Sequence, residues 1–224
     1  MNGIASDTWN DVRAWRNYRR QALLAQRSQT APAERYRARN AISTLLIDNV
    51  AQLTDTCIGF YWPIKGEIDL RAFMRNRVQH GARAALPVVV EKGAPLEFWS
   101  WRPDMRLQRG VWHIPIPAER RPVRPSILLV ALLGFDDAGY RLGYGGGYYD
   151  RTLAAMTPRP LTIGVGFESG RMATIYPQPH DIRLDAIATE AGFVWCEEPR
   201  NPKRGPRSLR AAAAERPPGQ PVGR

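Results

Sequence analysis

Residues 134–151, GFDDAGYRLGYGGGYYDR, concentrate groups that can bind or polarise a ligand. Gly143, Gly145, Gly146 and Gly147 are interleaved with Tyr144, Tyr148 and Tyr149, with Arg141 ahead of them and Asp150 behind. Glycine inside a regular element costs about 0.5–1 kcal/mol relative to alanine, so this run predicts a loop rather than a helix or strand. Between a buried strand and a helix, such a loop lets backbone N–H groups converge on an anion, and the helix N-terminus adds partial positive charge. Arg141 brings a fork of donors matched to phosphate oxygens. The tyrosines offer ring faces to a nucleobase or pterin, and Asp150 offers a carboxylate to Mg²⁺. No Gly-Lys-Ser/Thr follows, so the run is not a Walker A loop, and GYGGGY does not satisfy GxGxxG in full. Spacing alone leaves open a tight hairpin whose glycines merely permit positive φ.

The surrounding elements must hold this loop in place. SILLVALL, residues 126–133, is a continuous apolar run of the kind found in a strand buried on both faces of a parallel sheet, and it directly precedes the loop. YYDRTLAAM reads as the helix that follows, and LTIGVGF as another buried strand. Upstream, residues 9–26 put Val12, Trp15, Ala22 and Leu23 on an approximate helical stripe among arginines. Pro32 fits the first turn of a second helix, on which Ile42, Leu45, Leu46 and Val50 recur. TCIGFYW is a β-branched and aromatic strand closed by Pro63; EIDLRAFMRNRVQHG is a helix ending at Gly81, followed by the strand ARAALPVVV. PLEFWSW and RLQRGVWHIPIP read as shorter strands, and AIATEAGFVWCEE as a final strand region. Alternating helices and buried strands predict an α/β domain with a mainly parallel, helix-covered sheet, whose ligands bind outside the carboxyl ends of the strands.

Charge and cysteine usage exclude several classes. The 224 residues carry +11, but residues 1–40 hold +5 of it and residues 200–224 hold +6, leaving a neutral body. That distribution argues against a broad face tracking a nucleic-acid backbone and favours small anionic ligands, with RNA binding through the basic ends as a separate possibility. Cys57 and Cys196 form no CxxC or Cys/His cluster, so neither a zinc site nor a disulfide framework is indicated. No apolar stretch approaches the roughly 20 residues that span a bilayer. A soluble, cytoplasmic monomer without membrane partners is expected, with one domain over 1–198 and a disordered Pro/Gly/Arg-rich tail over 199–224.

GFDDAGYRLGYGGGYYDR closely resembles the characteristic loop of the 5-formyltetrahydrofolate cyclo-ligase family, and GFYWPIKGEIDL, GVWHIPIP and PHDIRLDAIATE resemble further segments of it. The resemblance implies a three-layer α/β/α fold and ATP- and Mg²⁺-dependent conversion of 5-formyltetrahydrofolate to 5,10-methenyltetrahydrofolate, with release of ADP and phosphate. ATP would first phosphorylate the formyl oxygen, after which N10 attacks the activated carbon. By the same resemblance, Arg16, Arg20, Arg141, Gly143, Gly145, Gly146, Gly147, Tyr148 and Tyr149 face ATP, with Arg141 and Tyr149 nearest the chemistry. Trp62, Glu67, Tyr144 and Tyr148 face the reduced folate, and Asp150 and Asp181 hold the metal.

Each assignment also has a plainer reading. Glu67 and Asp69 precede a helix, where acids favour the helix dipole. Asp181 and Asp185 can cap a turn, Trp62 can be core, and Arg16 can lie on a solvated basic face. Two departures from the family pattern stand out: Arg16 replaces a lysine, and Ala131 and Leu132 replace Pro-Gly at the exit of the central strand. They motivate the competing expectation of a non-catalytic or substrate-shifted folate- or nucleotide-binding protein of the same fold.

Overall fold

The computed structural model describes residues 9–50 and 53–196. In chain order the helices are α1 (Trp9–Ser28), α2 (Pro32–Asn49), α3 (Arg71–Gln79) and α4 (Tyr148–Ala155). The strands are β1 (Cys57–Gly59), β2 (Arg83–Val88), β3 (Glu97–Trp101), β4 (Leu107–Arg109), β5 (Pro115–Pro117), β6 (Ile127–Ala131), β7 (Gly134–Asp136), β8 (Arg141–Leu142), β9 (Leu161–Val165), β10 (Arg171–Met172), β11 (Ala186–Thr189) and β12 (Gly192–Trp195). Seven strands form the main sheet in the order β12-β11-β9-β6-β1-β2-β3. Its interior pairings are parallel, and the edges β3 and β12 add antiparallel. The strands β10-β7-β8 form a small second sheet, and β4 and β5 pair separately.

The central strand explains why the sheet is covered on both sides. Side chains alternate across a strand: Ile127 and Leu129 enter a cluster with Ile42 and Leu46 of α2 and Phe73 and Met74 of α3. Leu128 and Val130 enter the opposite cluster, with Leu153 of α4. An apolar run without alternation thus serves two layers of helix, as the three-layer expectation requires. No helix among the described residues is long and apolar enough to cross a membrane.

Several boundaries differ from the sequence-based expectation. Residues 134–151 are not loop throughout: Gly134–Asp136 and Arg141–Leu142 pair as a hairpin, which confines the irregular backbone to the turn at residues 137–140 and to residues 143–147. Pairing with Leu142 of β8 recruits Gly134 into a strand, while β10 pairs with Phe135 and Asp136, interactions no local pattern encodes. Helix α3 begins at Arg71 rather than Glu67, leaving Glu67 in an irregular segment. On α1, Val12, Arg16, Leu23 and Arg27 are buried, whereas Ala22 is exposed. Arg16, assigned to ATP by the resemblance, and Arg27 therefore occupy the inward stripe with Val12 and Leu23. The proposed tail lies outside the described residues.

Leu132, one of the departures at the strand exit, is buried where Gly166 makes room for it. A Cβ on Gly166 would lie 2.8 Å from the Leu132 Cβ, an atom with no freedom to swing away. Gly166→Ala should therefore destabilise the fold by about 1–3 kcal/mol, read as a lower urea midpoint with an unchanged m-value. An unchanged midpoint would mean that the β9 exit relaxes freely.

Candidate functional site

The glycine loop closes on α4 with the backbone twist that glycine allows. Gly145 (φ 91°) and Gly147 (φ 63°) sit in the left-handed region, and Gly147 caps α4 without any side-chain hydrogen bond. Arginines hold the loop's carbonyls. Arg20 Nε donates to the Gly143 carbonyl (2.8 Å), and Arg151 donates to that of Gly146 (2.7 Å) while its guanidinium lies 4.9 Å over the Tyr148 ring. Arg20, assigned to ATP by the resemblance, is therefore at the loop, and burial together with the charge of Arg16 lowers its pKa. Arg151 was not singled out from the sequence, although its place one residue after Asp150 was a signal.

Two arginine–aspartate pairs lie beside the loop. Arg141 bridges Asp150 Oδ1 (3.0 Å) and the Ile182 carbonyl (2.9 Å), and the Ile182 N–H donates to the same Asp150 oxygen (2.9 Å). Arg16 donates to both Asp181 oxygens (2.5 and 3.3 Å) and to the carbonyls of Ile175 (3.0 Å) and Tyr176 (2.9 Å). Burial alone would raise the pKa of Asp181; the hydrogen bonds from Arg16 and the Gln178 N–H, with the charge of Arg16, outweigh it and hold the carboxyl below the usual range. Trp15 against Tyr176 and Trp9 against His180 complete the docking of α1 on this segment.

Arg16 thus holds the 175–181 segment with its donors already engaged, which its planar fork of donors permits. Arg16→Ala would leave Asp181 a partly buried, unpaired charge and should cost about 3–5 kcal/mol. Arg16→Lys, which reaches fewer of these acceptors, should fall between alanine and wild type in thermal unfolding. Equal melting temperatures for all three would remove the clamp.

The third cluster joins the loop to the segment after β1. Tyr144 O–H donates to Glu67 Oε1 (2.8 Å), and the Ile64 N–H donates to Glu67 Oε2 (2.9 Å). Burial raises the pKa of Glu67, opposed by those two bonds and by the charges of Arg27 and Lys65. Burial and the charge of Glu67 push the Tyr144 and Tyr149 phenols well above their ordinary values, so both stay protonated. Arg141 lies 5.8 Å from the centre of the Tyr149 ring. Trp62 is placed apart from Glu67, in a neighbouring groove with Arg71 4.8 Å over its ring and Trp101, Arg102 and Met105 nearby. Trp112 was missed as an individual residue. It is 63% exposed, adopts φ 55°, and meets Tyr148 edge to face at 5.6 Å.

The metal expectation can be weighed on donor chemistry. Mg²⁺ commonly uses one or two carboxylates together with waters and phosphate oxygens, so a dense protein cage is not needed. Among the described residues no group of three or more His, Cys, Asp or Glu could hold a metal. Asp150 commits Oδ1 to protein partners and leaves Oδ2 to face a cation, which fits. Asp181 has both oxygens engaged by Arg16 and Gln178, so a cation there would have to displace an arginine.

Comparison with known proteins gives the family and the fold. Residues 12–190 match the 5-formyltetrahydrofolate cyclo-ligase family. The chain is 28% identical over 200 residues to the 5-formyltetrahydrofolate cyclo-ligase of Mycolicibacterium smegmatis, covering 85% of this chain and 95% of that protein. It is 29% identical over 145 residues to the Escherichia coli K12 protein of the same name, covering 62% and 79% respectively. Its fold superimposes on the NMR structure of Aquifex aeolicus 5,10-methenyltetrahydrofolate synthetase with a TM-score of 0.72 and 26% identity, over 83% of this chain and 94% of that one.

Proposed function

Because the chain belongs to the 5-formyltetrahydrofolate cyclo-ligase family, we propose that it catalyses the ATP- and Mg²⁺-dependent closure of 5-formyltetrahydrofolate to 5,10-methenyltetrahydrofolate. The observation that carries this reading is the hydrogen bond from Tyr144 to Glu67, which links a loop suited to phosphate with a carboxylate suited to a pterin. That adjacency within one chain supports a reaction between ATP and a folate, and a monomeric enzyme.

A formamide oxygen is a poor leaving group until it is phosphorylated, and phosphoryl transfer depends on positioning and charge neutralisation. Arg20, Arg141 and the amides of Gly143, Gly145, Gly146 and Gly147 would supply positive potential along the phosphates. Asp150 would hold Mg²⁺, with Asp181 joining it if Arg16 turns to the nucleotide. When bound, the ion neutralises phosphate charge as the γ-phosphoryl group leaves ADP. Glu67 would accept from the pterin ring's N–H groups, and Tyr148 with Trp112 would offer it an aromatic wall. Tyr149, protonated and beside Arg141, would donate to a phosphate or formyl oxygen. N10 of the folate is the nucleophile, so no side-chain nucleophile is needed.

The test is absorbance in the methenyltetrahydrofolate band after mixing purified protein, 5-formyltetrahydrofolate and Mg²⁺, with and without ATP. Product formed only with ATP is the expected result. Folded protein that binds ATP but yields no product would overturn the reading and favour a binding role or a shifted substrate.

A further inference from the structure

Arg27 has no part in the reaction as set out above, yet it is one of the few charged side chains buried in the protein, 5% exposed near the end of α1. A buried guanidinium is costly unless its charge and donors are answered. It forms no ion pair within 4 Å among the described residues; its hydrogen bonds go to the Leu132 carbonyl and, at 3.4 Å, to the Tyr144 hydroxyl. The second bond is long but directional in its consequence. A phenol that accepts from a guanidinium can donate only to another partner, and Tyr144 donates to Glu67. Arg27, Tyr144 and Glu67 therefore form a chain from the exit of the central strand, through the glycine loop, to the segment after β1.

Resting on the reading of Glu67 as the folate contact, we propose that Arg27 is a positioning residue of the folate site, fixing the Tyr144 hydroxyl toward Glu67 and adding a buried positive charge that, with the Tyr144 and Ile64 hydrogen bonds, favours the Glu67 carboxylate. Burial alone would favour the neutral acid, which cannot accept from two N–H groups of a pterin at once. The Ile64 N–H and Tyr144 O–H bonds act on Glu67 more strongly than any charge, and among the charged groups those other than Arg27 do less. Lys65, on the same segment, is exposed and lies 5.1 Å over the Tyr144 ring, so water screens it. Arg35 of α2 is occupied by the carbonyls of Arg27, Ser28 and Thr30, and Arg39 by Asn40 and the Tyr36 ring. Asp69 is neutralised by Arg71, and Tyr61 and Tyr149 stay protonated. Arg27 is thus the buried cation through which α1 acts on Glu67.

The test follows the ionisation of Glu67 directly, by ¹³C NMR of its carboxyl in the ligand-free protein, beside the pH dependence of kcat/KM for the folate. Arg27→Met should move the Glu67 titration and the acidic limb of kcat/KM upward by about one pH unit, as expected for loss of a nearby opposite charge. Arg27→Lys should restore much of that shift, because it keeps the charge. In a Tyr144→Phe background, Arg27→Met should produce a smaller shift, because the hydroxyl link is already gone. A lower melting temperature and uniformly lower activity, with the Glu67 titration unmoved, would make Arg27 a structural residue only and overturn the proposal. The NMR titration needs no turnover, so absence of methenyltetrahydrofolate formation by the wild type would count against the cyclo-ligase reading and leave the Arg27 result standing separately.

Discussion

Asp150→Asn lowers ATP-dependent methenyltetrahydrofolate formation by about 10²–10³-fold or more while the protein remains folded. Asparagine keeps an oxygen to accept from the Ile182 N–H and from Arg141, so the local hydrogen bonds survive. What it lacks is the negative charge that would hold a cation against the phosphates. Arg141→Ala should be at least as damaging to turnover, and it also removes the bridge between Asp150 and the Ile182 carbonyl, so its melting temperature should fall where that of Asp150→Asn does not. Single-turnover kinetics with folded protein, established by circular dichroism, separates the two. Wild-type turnover in both variants would remove this pair from the phosphate site.

Glu67→Gln gives the second large effect. The amide can accept with one end only, so folate affinity should fall by about tenfold to a hundredfold or more, consistent with loss of charge-assisted hydrogen bonds, while ATP affinity is unchanged. A stability signature accompanies it. Burial raises the Glu67 pKa in the folded protein, so its folded state holds the proton more tightly than its unfolded state. The stability this contributes is fully present below the unfolded pKa and is lost as pH rises through the folded pKa. Glutamine does not titrate. The variant's melting temperature should therefore improve relative to wild type as pH is raised from below about 4.3, the ordinary glutamate value, to neutrality. A difference that is flat with pH, or folate binding at wild-type strength, would show that Glu67 is neither strained by burial nor a substrate contact.

Much of the architecture was legible because local pattern and burial coincide. Residues 126–133 had to be a strand covered on both faces, since no alternation leaves a face for solvent, and the structure divides Leu128 and Leu129 between the two helical layers. Pro32 opens α2 as its missing N–H predicts. The glycines of residues 143–147 mark the irregular backbone, two of them at positive φ. The helix boundary at Glu67 was misread because the apolar spacing continues upstream of Arg71, whereas the Ile64 N–H bond to the Glu67 carboxylate and the left-handed Gly66 hold that segment out of the helix.

The sequence by itself determined the α/β class, the order of the helices and main-sheet strands, the family and the place of the glycine loop. These follow from periodicity, from residue conformational preference and from one distinctive motif, all of which are local in the chain. Tertiary structure alone decided where the arginines of α1 go. Helical spacing places Arg16, Leu23 and Arg27 on one stripe but does not say whether that stripe meets solvent or protein. Residues 165 and 117 positions away supply their partners: Asp181 for Arg16 and Tyr144 for Arg27. The charge of an arginine is written in the sequence, but its role depends on which acceptors the fold brings within hydrogen-bond reach.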